Sequence, residues 1–297
     1  MIEDADGNIS FRQSWIGNAI SCPENARRQI VEPELSRCSD EAFIGTAAHY
    51  GIEKVINGEC AVDDIGDAVR ECYRTDPEAK TIFFARPKTH QSNIGECVDL
   101  SIRCAQAWVR DIMPNAPLEG ARTEVKFDVD WFEHRGRIVS LKGTVDLAPA
   151  NGGLWDWKTS AKDYRQKDKQ RDAVQPTVYA VADALGGLGR YDQTFPATFT
   201  YGIMVKLKKE CRGQIITVQR TKSHMDFLER RLRGWVDMFD TLGVDTPWPM
   251  IDEGNYLCNK TWCDFYDTCR GSHISMNEDL FGWNPPANTT ISRRRAA

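Results

Sequence analysis

Gly143-Thr-Val-Asp146 and Asp156-Trp-Lys158-Thr159 have the residue types and spacing for phosphoryl chemistry. Asp156 and Lys158 are two apart in an extended run, so both side chains point to one face of a strand. Asn151-Gly152-Gly153 reads as a hairpin turn. A three-residue loop would set Asp146 opposite Lys158, on the same face; a two-residue loop would send it to the other face. Carboxylate oxygens suit hard cations such as Mg2+ or Mn2+. Such a cation polarises a phosphoryl oxygen and acidifies a bound water. A neighbouring lysine can position that water, help deprotonate it or offset transition-state charge. The plain alternative is a solvated Asp–Lys pair across two strands.

A second set of chemistry-bearing residues is the cysteines, ten in a chain with no visible secretory signal. Disulfides seldom persist in an unsecreted chain, so some of them are expected to bind metal. Cys258, Cys263 and Cys269 follow C-x4-C-x5-C, and Cys22 lies far upstream in AISCPENARR. His273 extends the downstream run to C-x4-C-x5-C-x3-H, which is close to a Cys3His zinc pattern. Cys38, Cys60, Cys72, Cys97, Cys104 and Cys211 read as small apolar packing residues.

These residues must be positioned by a mixed set of elements. The first third reads as helical: Asp40 caps EAFIGTAAHYGIEKVI, Gly58 stops it, and 61–75 and 92–113 follow. Residues 121–131, 137–149 and 153–160 alternate as strands do. A helix is expected over 168–185, with Pro176 early in it, then two strands and an amphipathic helix over 224–242. The implied organisation is a helical region (1–120), an α/β core (121–245) and a Cys-rich segment with a basic tail (246–297), integrated as one domain.

The net charge of -5 conceals basic clusters. Lys158, Lys162, Arg165, Lys167, Lys169 and Arg171 form one; Lys206, Lys208, Lys209 and Arg212 a second; Arg230, Arg231 and Arg233 a third. Each could neutralise phosphates or simply be solvated. Trp155, Trp157 and Tyr164 are candidates to stack on bases, with core packing expected for at least one tryptophan. No apolar run approaches the ~18 residues that span a bilayer, so a cytoplasmic protein without a membrane partner is expected. The Walker phosphate loop, H-E-x-x-H and G-x-S-x-G are absent, which leaves an ATP motor, a zincin and a serine hydrolase of that type unsupported.

Taken together, G-x-x-D, D-x-K-T and Q-x-x-x-Y (Gln175-Pro-Thr-Val-Tyr179) resemble the RecB-type PD-(D/E)XK nucleases. That group includes the iron–sulfur nucleases associated with CRISPR systems and many phage exonucleases. Gly45-Thr-Ala-Ala-His49 matches the group's histidine helix, and Glu124 its strand glutamate. The likeness runs over residues 14–271. It implies a restriction-endonuclease-like mixed central sheet flanked by helices. His49, Asp146, Asp156 and the Trp157 carbonyl would hold Mg2+ or Mn2+. Lys158 would be catalytic and Glu124 would support the site. Gln175 and Tyr179 would face the DNA backbone or order the site. Cys22, Cys258, Cys263 and Cys269 would hold a structural [4Fe-4S] cluster that staples the chain's ends. The expected activity is that of a DNA exonuclease. It would act on single strands or free ends in recombination, repair or phage replication, in a bacterial cell or a phage-infected host, beside a recombination or helicase partner. Two other readings stay open: a non-catalytic nucleic-acid-binding protein built on a zinc site, and an inactive nuclease fold serving as a subunit.

Overall fold

The computed structural model describes residues 1–189, 195–207, 210–252 and 254–273. In chain order its elements begin with β1 (Ile2–Glu3), β2 (Ile9–Arg12), α1 (Gln13–Ser21), α2 (Pro23–Val31), α3 (Asp40–Ile56), α4 (Ile65–Thr75) and α5 (Ile94–Ala107). Then come β3 (Arg122–His134), β4 (Arg137–Ala148), β5 (Leu154–Ser160), α6 (Gln166–Asp172) and α7 (Gln175–Ala184). Last are β6 (Ala197–Lys206), β7 (Cys211–Arg220), α8 (Lys222–Leu242) and α9 (Tyr266–His273).

The strands form one seven-stranded mixed sheet, ordered β1-β2-β4-β5-β6-β7 with β3 on β4. The alternation of Val125, Phe127, Val129 and Trp131 places β3 antiparallel along the whole of β4. One edge of β4 is thereby filled. Its other edge is shared: β2 pairs in parallel with Val139 to Lys142, and β5 pairs antiparallel at Leu147. Residues 143–146 lie between these two partners, and they are the G-x-x-D stretch.

Helices cover both faces. One core joins β2, β3, β4 and β6 to α1, α7 and α8; the other joins β5 and β6 to α3, α4 and α5. The restriction-endonuclease-like architecture expected from the sequence is therefore present. The amino-terminal region is not wholly helical, because β1 and β2 join the sheet. The signal was Asp4-Ala-Asp-Gly7-Asn8, a hairpin turn with Gly7 at φ 80° and Asp4 Oδ1 accepting from the Asp6 and Asn8 amides.

Two further expectations are corrected. Ser39, not Asp40, caps α3, by accepting from the Ala42 amide; Asp40 lies inside the helix, buried. The single helix over 168–185 is two, with Pro176 in the first turn of α7, where its missing N–H costs nothing. The short helix α6 is polar on every side and has no apolar face to bury. It is held by the edge strand instead. Gln166 donates to the Thr217 carbonyl, and Gln170 exchanges two hydrogen bonds with the Gln219 backbone. Arg220, fully buried, donates to the Lys169, Gln170 and Ala173 carbonyls at the end of α6. These glutamines occupy backbone groups that an open sheet edge would expose.

Gly143 is required by a close approach. A Cβ there would lie 2.6 Å from Phe127 Cζ. Phe127 in turn packs edge-on against Tyr179, with ring centroids 5.8 Å apart. Gly143→Ala should destabilise the protein by about 1–3 kcal/mol through overpacking, read as a lower midpoint in urea unfolding.

Candidate active site

Leu147 pairs with Trp155, so Asp146 stands opposite Asp156 when the antiparallel register is extended. The connection is the five residues 149–153, not three. The pairing is thus two residues away from the one a three-residue loop requires. A shift of two preserves the face, so Asp146, Asp156 and Lys158 still converge. Lys158 pairs with Asp156 Oδ2. The Trp157 amide donates to Asp146 Oδ2 at 2.7 Å, a side-chain bond standing in for a ladder bond. His49 Nδ1 lies 3.5 Å from the same oxygen. Gly45, one turn earlier on α3, lets that helix close on β5: its Cβ would sit 3.3 Å from Thr159 Oγ1.

Gln175 and Tyr179 share a face of α7 and look inward. Gln175 Nε2 donates to Asp156 Oδ1 at 2.8 Å and to the Tyr179 hydroxyl at 3.0 Å. Tyr179, buried, donates to the Thr144 carbonyl at 2.6 Å, inside the gap along β4.

Glu124 is a non-glycine residue at φ 46°, in the left-handed region. It lies on β3 between the pairs Thr123–Leu147 and Val125–Val145, beside Asp146. At this point the strand changes sides. Val145 packs in the core under α7 and α8, whereas Leu147, two residues on, packs in the core under α3 to α5. Strain of order 1–3 kcal/mol is concentrated where the carboxylates meet.

Burial dominates the electrostatics. Asp156 is 1% exposed. Desolvation, then the facing Asp146 carboxylate, push its pKa up to about 6. Desolvation also raises Asp146, against the Lys158 ammonium and the Trp157 amide. Glu124 is pushed up to about 7, first by burial and then by Asp146, Glu53 and Asp156. His49 falls to about 4, through burial and then Lys158, so its imidazole is neutral at pH 7. For Lys158 the two carboxylates outweigh desolvation, and its pKa is raised. Asp156 Oδ2 accepts no hydrogen bond of ordinary geometry and has the ammonium against it. Two repelling carboxylates, Asp156 buried and Asp146 partly so, and a neutral imidazole fit a hard divalent cation. Among the described residues, no three His, Cys, Asp or Glu side chains are gathered tightly enough to hold one ion.

Glu53, four residues after His49 on α3, acts on Glu124 and was not singled out in the sequence; the i,i+4 spacing to His49 was its signal. Lys169, one of the first basic cluster, lies over the Tyr164 ring at 3.8 Å, and its pKa is lowered by burial and then by Lys158. Trp155 and Trp157 are both buried, with Trp157 edge-on to Trp108, so neither offers a face to a base. Tyr164 is partly exposed. Lys208 and Lys209 lie outside the described residues, as does the basic tail.

Cys22, Cys258, Cys263 and Cys269 line one cavity of about 150 Å3. Segments 24–37 and 248–268 are held together there by polar contacts. Buried Glu24 on α2 binds Arg27 and Arg28 and accepts from the Trp248 amide at 2.7 Å. Arg28 reaches Thr268 at 2.8 Å, and Arg37 pairs with Asp264 at 3.0 Å. Asn25 donates to Cys263 Sγ at 3.5 Å. The four thiols line this one cavity, but no three of them are gathered tightly enough to hold one metal ion. A Cys3His zinc site has no use for Cys22, whereas Cys22 lines this cavity. Of the other cysteines, Cys72, Cys97, Cys104 and Cys211 are buried in the core under α3 to α5, while Cys38 and Cys60 are partly exposed and pack at its margin.

The family model described as the PD-(D/E)XK nuclease superfamily matches residues 22–270. The chain belongs to the PD-(D/E)XK nuclease superfamily. A candidate exonuclease from Eubacterium rectale has a solved structure at 12% identity and TM-score 0.48, covering 97% of both chains. The structure of SSO0001 is similar at 13% identity and TM-score 0.38, over 89% of this chain and 86% of that one. A glutathione hydrolase proenzyme of Bacillus subtilis (strain 168) is 30% identical over 93 residues. That match spans 31% of this chain and 15% of the relative's length.

The raised pKa of Asp156 has a definite sign. The folded state binds this proton more tightly than the unfolded chain. The stability it contributes is therefore fully present below about 3.8 and is lost as pH rises through about 6. A cation that replaces the proton should then stabilise the protein more above this window than below it. Mg2+ is expected to raise Tm more at about pH 8 than at about pH 5 by scanning calorimetry; equal shifts would count against cation binding at these carboxylates.

Proposed function

We propose that this chain is a metal-dependent deoxyribonuclease that degrades DNA from its ends. The observation that carries the reading is the buried opposition of Asp146 and Asp156, with Lys158 on one carboxylate and His49 beside the other. His49, Asp146, Asp156 and the Trp157 carbonyl would hold Mg2+ or Mn2+, which when bound supplies Lewis acidity and an acidified water. Lys158, placed on Asp156, would be the catalytic lysine, positioning the water, helping to deprotonate it or offsetting charge on the phosphoryl oxygens. Gln175, anchored through Tyr179, fixes the Asp156 carboxylate. Glu124, beside Asp146 on β3, would support the site.

We also infer that Cys22, Cys258, Cys263 and Cys269 would hold a structural [4Fe-4S] cluster; their lining of one cavity is what supports this reading. Hydrolysis moves no electrons, so the cluster's role is to tie the ends of the chain over the core. DNA end processing in recombination, repair or phage replication is the setting this chemistry suits. Among the described residues no helix is long and apolar enough to cross a membrane.

Two measurements test these readings. Asp156→Asn and Lys158→Ala should each lower cleavage of end-labelled linear DNA by at least about 10³-fold while the far-ultraviolet circular dichroism stays unchanged; wild-type rates in both variants would defeat the nuclease assignment. Protein purified without oxygen should carry iron and absorb in the visible, and Cys22→Ser should lose both. Stoichiometric zinc without iron would overturn the cluster.

A further inference from the structure

Cys104 on α5 and Cys211, the first residue of β7, are 107 positions apart in the chain, yet their Sγ atoms lie 3.8 Å from one another. Both are free thiols, buried in the core under α3 to α5. Sulfur atoms at that separation are in van der Waals contact, and a disulfide draws them to about 2.05 Å. The backbones that carry them are already pinned together. Arg110, just past α5, donates to the Cys211 carbonyl at 2.8 Å, and Asp111 accepts from the Gly213 amide at 2.6 Å. Rotation of the two side chains is then the motion that closes the remaining gap.

The two thiols are chemically unequal. Cys211 Sγ shares a hydrogen bond with Cys104 and accepts another from the Leu207 amide, with the Arg103 and Lys206 charges close by. The shared bond, more than any other contact, lowers the pKa of Cys211 and raises that of Cys104. One member of the pair is thus disposed to be the attacking thiolate and the other the resolving thiol. A small oxidant has a way in. Leu207 is 43% exposed, and with Arg103 and Lys206 it lines an open groove of about 550 Å3. The groups that act on Cys211 are therefore also the ones that face solvent.

We propose that Cys104 and Cys211 are a redox-active pair that closes to a disulfide when the protein meets a peroxide and reopens with a low-molecular-weight thiol. The Cys211 thiolate attacks one peroxide oxygen. The O–O bond breaks, the departing hydroxide takes up a proton as water, and Cys211 becomes a sulfenic acid. The Cys104 sulfur then displaces that hydroxyl, which leaves with the Cys104 proton as a second water while the S–S bond forms. Two thiols and one hydrogen peroxide become one disulfide and two waters. Reduction consumes two small thiols, which leave as their own disulfide. The bond would tie α5 to β7 and close a loop that contains Glu124, Asp146, Asp156 and Lys158. A cross-link over so long a loop restricts the unfolded chain strongly.

The test treats the full chain with hydrogen peroxide, blocks remaining thiols with iodoacetamide in denaturant and digests with trypsin without reductant. Cleavage after Arg103, Arg110, Lys209 and Arg212 isolates residues 104–110 and 210–212. Mass spectrometry should find these two peptides joined, two hydrogens lighter than the separate thiols, and dithiothreitol should release them. The oxidised protein should melt roughly 5 °C above the same sample after dithiothreitol. Neither Cys104→Ser nor Cys211→Ser should show that rise. In Cys104→Ser, whose hydroxyl can donate the same hydrogen bond, dimedone should label the sulfenic acid stranded at Cys211. In Cys211→Ser it should leave Cys104 unlabelled. Recovery of both wild-type peptides as alkylated thiols would overturn the proposal, as would sulfinic or sulfonic acid in place of the link, or pairing with any other cysteine. That readout needs no variant, so it decides even where a serine variant fails to fold. Dimedone labelling of Cys104 in Cys211→Ser, with none at Cys211 in Cys104→Ser, would overturn the assigned direction of attack.

Discussion

A strand has two edges, and β4 has three neighbours. Because β3 fills one edge from end to end, β2 and β5 must divide the other. The stretch between them cannot complete a ladder, yet it is inside the protein, where unpaired backbone groups are costly. Side chains complete it: Tyr179 takes the Thr144 carbonyl, and Asp146 takes the Trp157 amide. The opening that results is where the two carboxylates face each other. Gly143, Phe127 and Tyr179 form one continuous support for it, from sheet to helix.

The electrostatics follow from that opening. Two carboxylates in a desolvated gap repel, and both are pushed toward their neutral forms. One ammonium, from Lys158, is available to offset them, and His49 is too desolvated to add a second charge. The site is therefore short of positive charge. A bound divalent cation would relieve the shortage, and a nucleic-acid phosphate would not reach the carboxylates without one. The left-handed backbone at Glu124 lies at the same place, where strand alternation breaks and an extra carboxyl is carried toward the pair.

Stability of the outer shell comes from polar contacts rather than from burial alone. The Glu24–Arg27–Arg28 group gathers the amino-terminal helices and the segment after Trp248, and this places Cys22 with the downstream cysteines. Breaking such a buried network leaves a charge without its partner, which costs more than the intact pair contributes. Arg220 plays a similar part for α6, a helix whose composition would not hold it as a helix in water.

Much of this was legible in the chain itself. Alternation in 122–148, the placing of Asp156 and Lys158 on one face and the shared helix face of Gln175 and Tyr179 follow from side-chain period; the grouping of Cys22 with the three downstream cysteines came from the family resemblance. The two amino-terminal strands were missed because β2 pairs with β4, far along the chain; the other misreadings were local: a cap displaced by one residue at Ser39, a helix interrupted before Pro176, and a hairpin loop of five residues in place of three. The last did no harm, since strand parity survives a shift of two. What the sequence determined by itself was which candidate residues share a face, because that depends on near-neighbour spacing. Only the tertiary structure decided that β4 is left open between β2 and β5, that Glu53 and Lys169 act on the site, and that Cys104 meets Cys211. These depend on which distant segments pack together, and residue spacing along the chain carries no record of that.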